Sequence, residues 1–571
     1  MRQPIIEFNH FTFKYYSQTD PTLKNIDVTI YQGEKVLILG PSGSGKSTLV
    51  HCLNGLVPFS YKGDIEGELL IKDNDTRNLD IFTISRMVGT VLQDTDGQFI
   101  GLIVGEDIAF SLENEKVPQH VMKESVQRVA ELVEIEHHIA HSIHELSGGQ
   151  KQRVSVGGVM VNEEVEILLF DEPLANLDPA TGQYAMELID RIHQETNKTI
   201  IMIEHRLEDA LHIDFDRVIV LDEGEVVFNG APKQLLASHV LNQVHIREPL
   251  YLKALKYSGC EIEPDMGLEH IDTLNIADDC QQQLKQWYTK SMERGEEEAF
   301  TPLLEVNNLN FRYQQDPILQ NISFSIQQGE MVSIVGKNGA GKSTLSKLIC
   351  GFETMNSGQI FLEGKDITNQ TIFERANRIG FVLQNPNHMI SKHMIYDEVA
   401  LGLVNRGYSQ KEIEERVWET LKVCGLYQFR NWPISALSYG QKKRVTIASI
   451  LVLEPNIIIL DEPTAGQDFR HYTEMMEFLR QLNDNGTTIL FITHDMHLML
   501  EYTSRSIVLA DGRLIADESA VDVITNDEIV DKANLKRTSL FDIAVKVGIS
   551  DPKQFVHHFI SYDRKVRARW P

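Results

Sequence analysis

The chain repeats itself, and that repetition constrains its fold more than any other feature. Phe11-Thr-Phe-Lys-Tyr15 returns as Leu309-Asn-Phe-Arg-Tyr313, and Leu23-Lys-Asn-Ile26 returns as Leu319-Gln-Asn-Ile322. Gly33-Glu34 returns as Gly329-Glu330. The segment opening at Gly40 reappears at Gly336, 296 residues later. Leu146-Ser147 reappears at Leu437-Ser438, an offset of 291, and Asp171-Glu172 at Asp461-Glu462, an offset of 290. Such slow drift is that of one domain copied whole and then trimmed in its loops. A chain of 571 residues exceeds a single hydrophobic core, so two domains follow. Each copy opens with short alternating strands, passes through a strand–glycine loop–helix unit into a helical middle, and returns to β-branched runs. That order predicts an α/β domain with a largely parallel sheet.

Between the copies the pattern lapses. Residues 261–300 hold eleven acids against the three bases Lys285, Lys290 and Arg294. Composition therefore predicts a partly helical, solvated acidic linker over 236–302, joining copies at 1–235 and 303–530. The formal charge of −28 argues against a sequence-independent grip on nucleic acid, which needs surplus Lys and Arg. It is compatible with docking on a basic partner surface or with simple solubility. No run approaches the roughly 18–20 apolar residues of a membrane span, and no signal peptide is visible at the start. The five cysteines, Cys52, Cys260, Cys280, Cys350 and Cys424, form no CxxC pair, so reduced and mostly buried thiols are expected. The chain reads as cytoplasmic.

Two stretches fit GxxxxGK[ST]: Gly40-Pro41-Ser42-Gly43-Ser44-Gly45-Lys46-Ser47 and Gly336-Lys337-Asn338-Gly339-Ala340-Gly341-Lys342-Ser343. Each follows an apolar strand and opens a helix, continued by Thr48 and Thr344, which is the context this motif needs. Glycines let backbone N–H groups converge on phosphate oxygens, and the helix N-terminus adds its dipole. Lys46 and Lys342 are expected at the β/γ-phosphates of a nucleotide, with Ser47 and Ser343 on Mg²⁺. Val165–Glu172 and Ile457–Glu462 are buried strands that end in paired acids. At the carboxyl edge of a P-loop sheet such acids face the nucleotide. Asp171 and Asp461 are then candidates for Mg²⁺, and Glu172 and Glu462 for the general base acting on water.

Leu146-Ser147-Gly148-Gly149-Gln150, with Leu437-Ser438-Tyr439-Gly440-Gln441 in the second copy, resembles the signature of the ABC ATPases. A serine and glycines opening a helix suit an anion. The resemblance covers about 480 residues and implies ATP and Mg²⁺ as ligands. It implies two P-loop NTPase domains in tandem, each with a helical signature subdomain and an antiparallel β subdomain. By the same resemblance Gln93 and Gln384 are Q-loop glutamines touching Mg²⁺ and γ-phosphate, Asp178 and Asp468 are D-loop acids, and His205 and His494 are γ-phosphate sensors. Tyr15 and Tyr313 resemble the aromatic that stacks on adenine, with core packing as the alternative. The family pairs its cassettes head to tail. Ser438 and Gly440 would then complete the site of Lys46 and Glu172, and Ser147 and Gly149 that of Lys342 and Glu462, all within one chain. Two departures stand out: Tyr439 replaces a signature glycine, and Glu204 precedes His205 where a small hydroxyl residue is usual. Neither removes a catalytic group, so two hydrolysing sites are expected.

Within that family the chain resembles the ATPase of energy-coupling factor importers. Val91-Leu-Gln93-Asp94-Thr-Asp96-Gly-Gln98-Phe99 is similar to their Q-P-D-x-Q-F, and Val104-Gly-Glu106-Asp107-Ile-Ala-Phe110 to their V-x-E-D-x-A-F. The second copy keeps Gln384-Asn-Pro386-Asn387 and Asp397-Glu398-Val-Ala400. The resemblance extends to fused forms associated with uptake of vitamins, notably a thiamine precursor. It implies a peripheral protein on the cytoplasmic face of the membrane. A multi-span scaffold subunit would dock beyond the Q-loop glutamines, and a separate membrane protein would capture the substrate. The alternative is a soluble tandem-ABC translation factor acting on the ribosome, which usually carries a basic linker. The tail at 531–571 reads as a small helical appendage, its basic end (Arg564, Lys565, Arg567, Arg569) either packed inward or set against lipid headgroups or the scaffold.

Overall fold

The computed structural model describes residues 2–93, 97–175, 177–289, 302–314 and 316–567. Asp94 and Asp96, the charged run at 290–301 and Arg569 lie outside them. The chain divides into two compact units, built mainly from residues 1–287 and from 288–467 with 471–571.

The first unit holds two sheets. Strands β1 (Pro4–Tyr15), β2 (Leu23–Tyr31), β4 (Gly63–Ile71) and β5 (Asn74–Asp75) pair antiparallel in the order β2-β1-β4-β5. Strands β3 (Lys35–Leu39), β6 (Val88–Val91), β7 (Ile167–Asp171), β8 (Thr199–Ile203), β9 (Arg217–Asp222) and β10 (Glu225–Gly230) run in the order β10-β9-β3-β8-β7-β6. In this larger sheet every pair is parallel except β9 with β10. β8 is buried along its whole length, which is why it reads as an unbroken apolar run rather than an alternating one. Phe8, Phe11 and Phe13 from β1 join Ile38, Leu53 and Ile201 in one core, so the sheets and the helix Lys46–Leu53 share a single apolar interior.

The second unit reproduces this plan. Strands β11 (Pro302–Tyr313), β12 (Asp316–Gln327), β14 (Ser357–Leu362) and β15 (Lys365–Asp366) form the antiparallel sheet, ordered β12-β11-β14-β15. Strands β13 (Met331–Val335), β16 (Ile379–Val382), β17 (Ile457–Asp461), β18 (Thr488–Ile492), β19 (Arg505–Ala510) and β20 (Arg513–Ser519) are ordered β16-β17-β18-β13-β19-β20. In both units three helices follow the strand that ends two residues before Gln93 or Gln384: Val104–Asn114, Gln119–Leu132 and Gly148–Met160, then Ile395–Asn405, Gln410–Val423 and Tyr439–Leu451. The expected fold class, tandem α/β P-loop domains with helical and antiparallel β parts, is the one observed.

Two expectations need correction, and of the two readings of the tail the inward-packed appendage is the one observed. The segment after residue 235 is not merely solvated: helices Leu250–Ser258 and Asp278–Thr289 bury Leu252, Leu255 and Leu284, and Leu268 in the turn between them is buried as well. The acid count concealed these apolar positions, because acids occupy the outer faces between them. Cys260 and Cys280 are not reduced thiols but a disulfide, their Cα atoms 5.3 Å apart, while Cys52, Cys350 and Cys424 are free and buried. Finally, Arg564 and Arg567 do not point to a membrane. Arg564 Nε donates to the Glu501 carbonyl at 2.7 Å, and Arg567 pairs with Glu501 at 3.0 Å and Asp563 at 2.5 Å. Phe555 and Phe559 on the same helix, Pro552–Arg567, are fully buried, so this helix packs inward along its apolar face.

Candidate active sites

Both glycine loops leave the carboxyl end of a central parallel strand and feed a helix that begins at the lysine. A Cβ at Gly40 would stand 2.3 Å from the Leu221 carbonyl oxygen, and one at Gly336 2.0 Å from that of Leu509. Gly43 and Gly339 are different: their φ is +81° in each case, and nothing lies within 4 Å of a Cβ. Each loop is thus wedged against β9 or β19 on one side and open on the other, a cradle that fits a row of phosphates. Ser44 Oγ, buried and without a hydrogen-bond partner among the described residues, lies on the wedged side, 2.5 Å from where a Gly40 Cβ would stand. Lys46 Nζ donates to the carbonyls of Gly40 at 2.7 Å and Pro41 at 2.8 Å. Lys342 Nζ donates likewise to Gly336 at 2.7 Å and Lys337 at 3.0 Å. Burial draws Lys46 down to about 8, against the pull of carboxylates including Glu172. Ser47 and Ser343 are exposed on the first turn of their helices.

The acids sit where β7 and β17 end. Burial, reinforced by the adjacent glutamate, lifts Asp171 and Asp461 each to about 6. Nearby cations, Lys46 beside Asp171 and Lys443 with Lys342 beside Asp461, offset this only in part, and a divalent cation would supply the rest. Glu172 and Glu462 adopt the left-handed backbone, with φ of 49° and 44°. Their amides donate across the sheet to Ile203 and Ile492 at 2.9 Å, which swings the carboxylates out of the strand direction. In the first unit the Glu172 carboxylate receives Gln93 Nε2 at 2.7 Å and meets His205 Nε2 at 2.8 Å. In the second, Glu462 meets His494 Nδ1 at 2.6 Å and accepts from the His494 amide at 3.1 Å and Thr493 Oγ1 at 3.2 Å. The structure thus brings the base and histidine candidates together in both units, and the glutamine with them in the first.

The signature helices explain their own sequence. Ser147 Oγ accepts from the Gln150 amide at 3.3 Å, and the Ser147 amide donates back to Gln150 Oε1 at 2.8 Å. Ser438 and Gln441 repeat the pair at 3.3 and 3.0 Å. Ser-x-x-Gln is therefore a capping box, and it leaves Ser147, Gly148 and Ser438 exposed at the helix start. Asp178 caps its own helix, Pro179–Thr196, through the Thr181 amide at 3.0 Å. Asp468 is buried just before the helix Phe469–Asp484. Both aromatics pack edge-on against the phenylalanine two residues back, Phe13 and Phe311, but Tyr15 OH meets Thr48 Oγ1 at 3.1 Å, whereas Tyr313 is 44% exposed and bonds Glu353 at 3.1 Å.

Two roles escaped the sequence. Asp107 Oδ1 accepts the amides of Ile100 at 2.8 Å and Gly101 at 3.0 Å, and Glu398 accepts those of Ser391 at 2.8 Å and Lys392 at 2.7 Å. These acids, read above only as family markers, hold the loop beyond each Q-loop. Lys443 is 1% exposed, a burial that its place in a run of Lys442-Lys443-Arg444 hides. Its four-residue spacing from Tyr439 on one helix was the available signal.

The family model of the ABC transporter matches residues 23–175 and again 319–465. The chain belongs to the ABC transporter ATP-binding proteins. A second model, described as an ATP-binding cassette cobalt transporter, matches residues 238–311. A Clostridium perfringens protein named for ABC transporter ATP binding is 57% identical over 99% of this chain and 100% of its own length. One from Enterococcus faecalis, named in the same way, is 55% identical over 99% and 100%. Among solved structures, cbiO1 from Clostridium perfringens, described as part of the ABC transporter complex cbiONQ, is 35% identical. It covers 43% of this chain and 99% of its own, with a TM-score of 0.39. This tandem ABC protein is an ATPase, its cassettes bind ATP with Mg²⁺, and it serves an ABC transporter as the ATP-binding motor. Among its described residues no helix is long and apolar enough to cross a membrane.

Proposed function

We propose that this ABC ATPase drives an energy-coupling factor importer for a vitamin or similar micronutrient from the cytoplasmic face of the membrane. A multi-span scaffold subunit receives its motion, and a separate membrane protein captures the cargo. The observation that carries this reading is the loop after Gln93. Ile100 and Leu102 are 63% and 80% exposed, yet the loop is fastened from behind, by Asp107 and by Glu106, which accepts the Leu102 amide at 3.3 Å. Apolar side chains held out on a fixed loop suit an apolar helix of another protein. The match of residues 238–311 to a cobalt-transporter cassette also supports the import reading.

In the proposed reaction the loop amides and Lys46 or Lys342 bind and orient the phosphates. Bound Mg²⁺, held by Ser47, Asp171 and Gln93 or by Ser343, Asp461 and Gln384, neutralises phosphate charge. Glu172 or Glu462 takes a proton from the attacking water at its carboxylate oxygen. His205 and His494 orient that carboxylate and sense the γ-phosphate, and Gln93 reports the occupied site to the exposed loop.

The import reading is tested by replacing Ile100 and Leu102 together with Asp and pulling the chain down from solubilised membranes. Loss of a co-purifying multi-span protein, with ATP binding kept, is the expected result. Co-sedimentation of the wild-type chain with ribosomes, in a salt-sensitive manner and with no membrane partner, would overturn it.

A further inference from the structure

Tyr439 and Lys443 lie four residues apart on the helix Tyr439–Leu451 and so share one face. Both reach the same backbone group. Lys443 Nζ donates to the Gln384 carbonyl at 2.6 Å and to that of Leu383 at 2.8 Å. Tyr439 OH donates to the Gln384 carbonyl at 3.3 Å. A buried ammonium is costly unless its protons find acceptors, and here two acceptors come from the chain that leaves β16. Burial works against its charge more than the carboxylates of Asp461 and Glu462, on the side of β17, favour it. The first cassette is built otherwise. Gly148, in the place of Tyr439, has no side chain, and Gln152, in the place of Lys443, donates to the Pro173 carbonyl at 2.9 Å, directly behind Glu172. One signature helix is therefore fastened to its Q-loop, and the other to the turn that bears its glutamate.

We propose that Lys443 and Tyr439 are positioning residues that make the signature helix and the Q-loop of the second cassette move as one body. A displacement of Gln384 then carries Ser438 and Gly440 with it. This rests on the reading of Gln384 as the link between nucleotide and partner.

The test is amide hydrogen exchange on the full chain, read at residues 383–387 and 97–102, together with ATP turnover. K443Q is expected to raise exchange at 383–387 about tenfold, the scale of one lost charged hydrogen bond, and to leave 97–102 unchanged. Turnover falls several-fold with little change in KM, and K443R restores most of it. Y439F, which removes only a hydroxyl, raises the same exchange about two- to threefold and serves if K443Q fails to fold. Wild-type exchange at 383–387 in both K443Q and Y439F would overturn the tie, as would exchange raised equally throughout the second cassette. A local rise in exchange with unchanged turnover would uphold the tie and overturn the reading of Gln384.

Discussion

His205 presents Nε2 to Glu172, at 2.8 Å, whereas its counterpart in the second cassette, His494, presents Nδ1 to Glu462. The rings differ in orientation because their neighbours differ. Thr493 and the His494 amide already hold Glu462, while the residue before His205 is Glu204, whose own oxygens accept the amides of Leu174 at 2.8 Å and His205 at 3.1 Å.

Replacing Glu172 and Glu462 together with Gln should preserve ATP binding and cut turnover by about 10²–10⁴, the range of a lost general base. Near-normal phosphate release by the double variant would refute their assignment.

With only one base left active, the histidines should separate. In the E462Q background H205A leaves Glu172, among the described residues, only the Gln93 side chain as a donor, whereas in the E172Q background H494A leaves Glu462 its threonine and backbone donors. H205A should lower the remaining turnover about tenfold more than H494A does. Equal losses would show that the hydrogen bonds around the glutamates do not matter.

Glu204 gives the first cassette a pH dependence. Burial holds its carboxyl at about 7, with Arg206 opposing and Glu172 reinforcing the shift from 4.5. The unfolded chain loses this proton near 4.5 while the fold keeps it. The associated stability is thus complete below 4.5 and is lost, by about 3 kcal/mol, as pH rises through 7. Glu204→Gln removes that loss. Urea unfolding should show the variant's gain over wild type about 2 kcal/mol larger at pH 8 than at pH 5.5. A difference independent of pH would contradict the burial argument.

Glycines within one loop should fail in different ways. Gly45→Ala forces a Cβ to 2.8 Å from Leu23 Cδ2 and 2.9 Å from the Thr22 carbonyl at a φ of 102°, so thermal denaturation should reveal a loss of about 2–3 kcal/mol. Gly43→Ala meets no protein atom within 4 Å, and its methyl group enters the cradle. It should lower ATP affinity tenfold or more, seen by titration calorimetry, at a stability cost of only about 1 kcal/mol. A Gly43→Ala chain that binds ATP normally would place the phosphates elsewhere.

How much of this was legible beforehand depends on the range of the interactions. The P-loops, the buried strands and the capping boxes at Ser147 and Ser438 are written in neighbouring residues, so spacing alone reveals them. The left-handed backbone at Glu172 depends on an amide bond to Ile203, thirty-one positions away, and no local pattern announces it. The same is true of Cys260 with Cys280, of Arg567 with Glu501, and of Asp107 behind the loop at Ile100. The drift of the offset located the two copies but said nothing of how their side chains diverged, as at Gln152 and Lys443.

The left-handed conformation of Glu172 and Glu462 sets local preference against chemistry. A non-glycine residue there stores on the order of 1–2 kcal/mol, which Gly or Asn would release. With the proposed roles, a laboratory selection for heat resistance alone would therefore drift towards Gly at both positions and return a hardier protein stripped of its general bases.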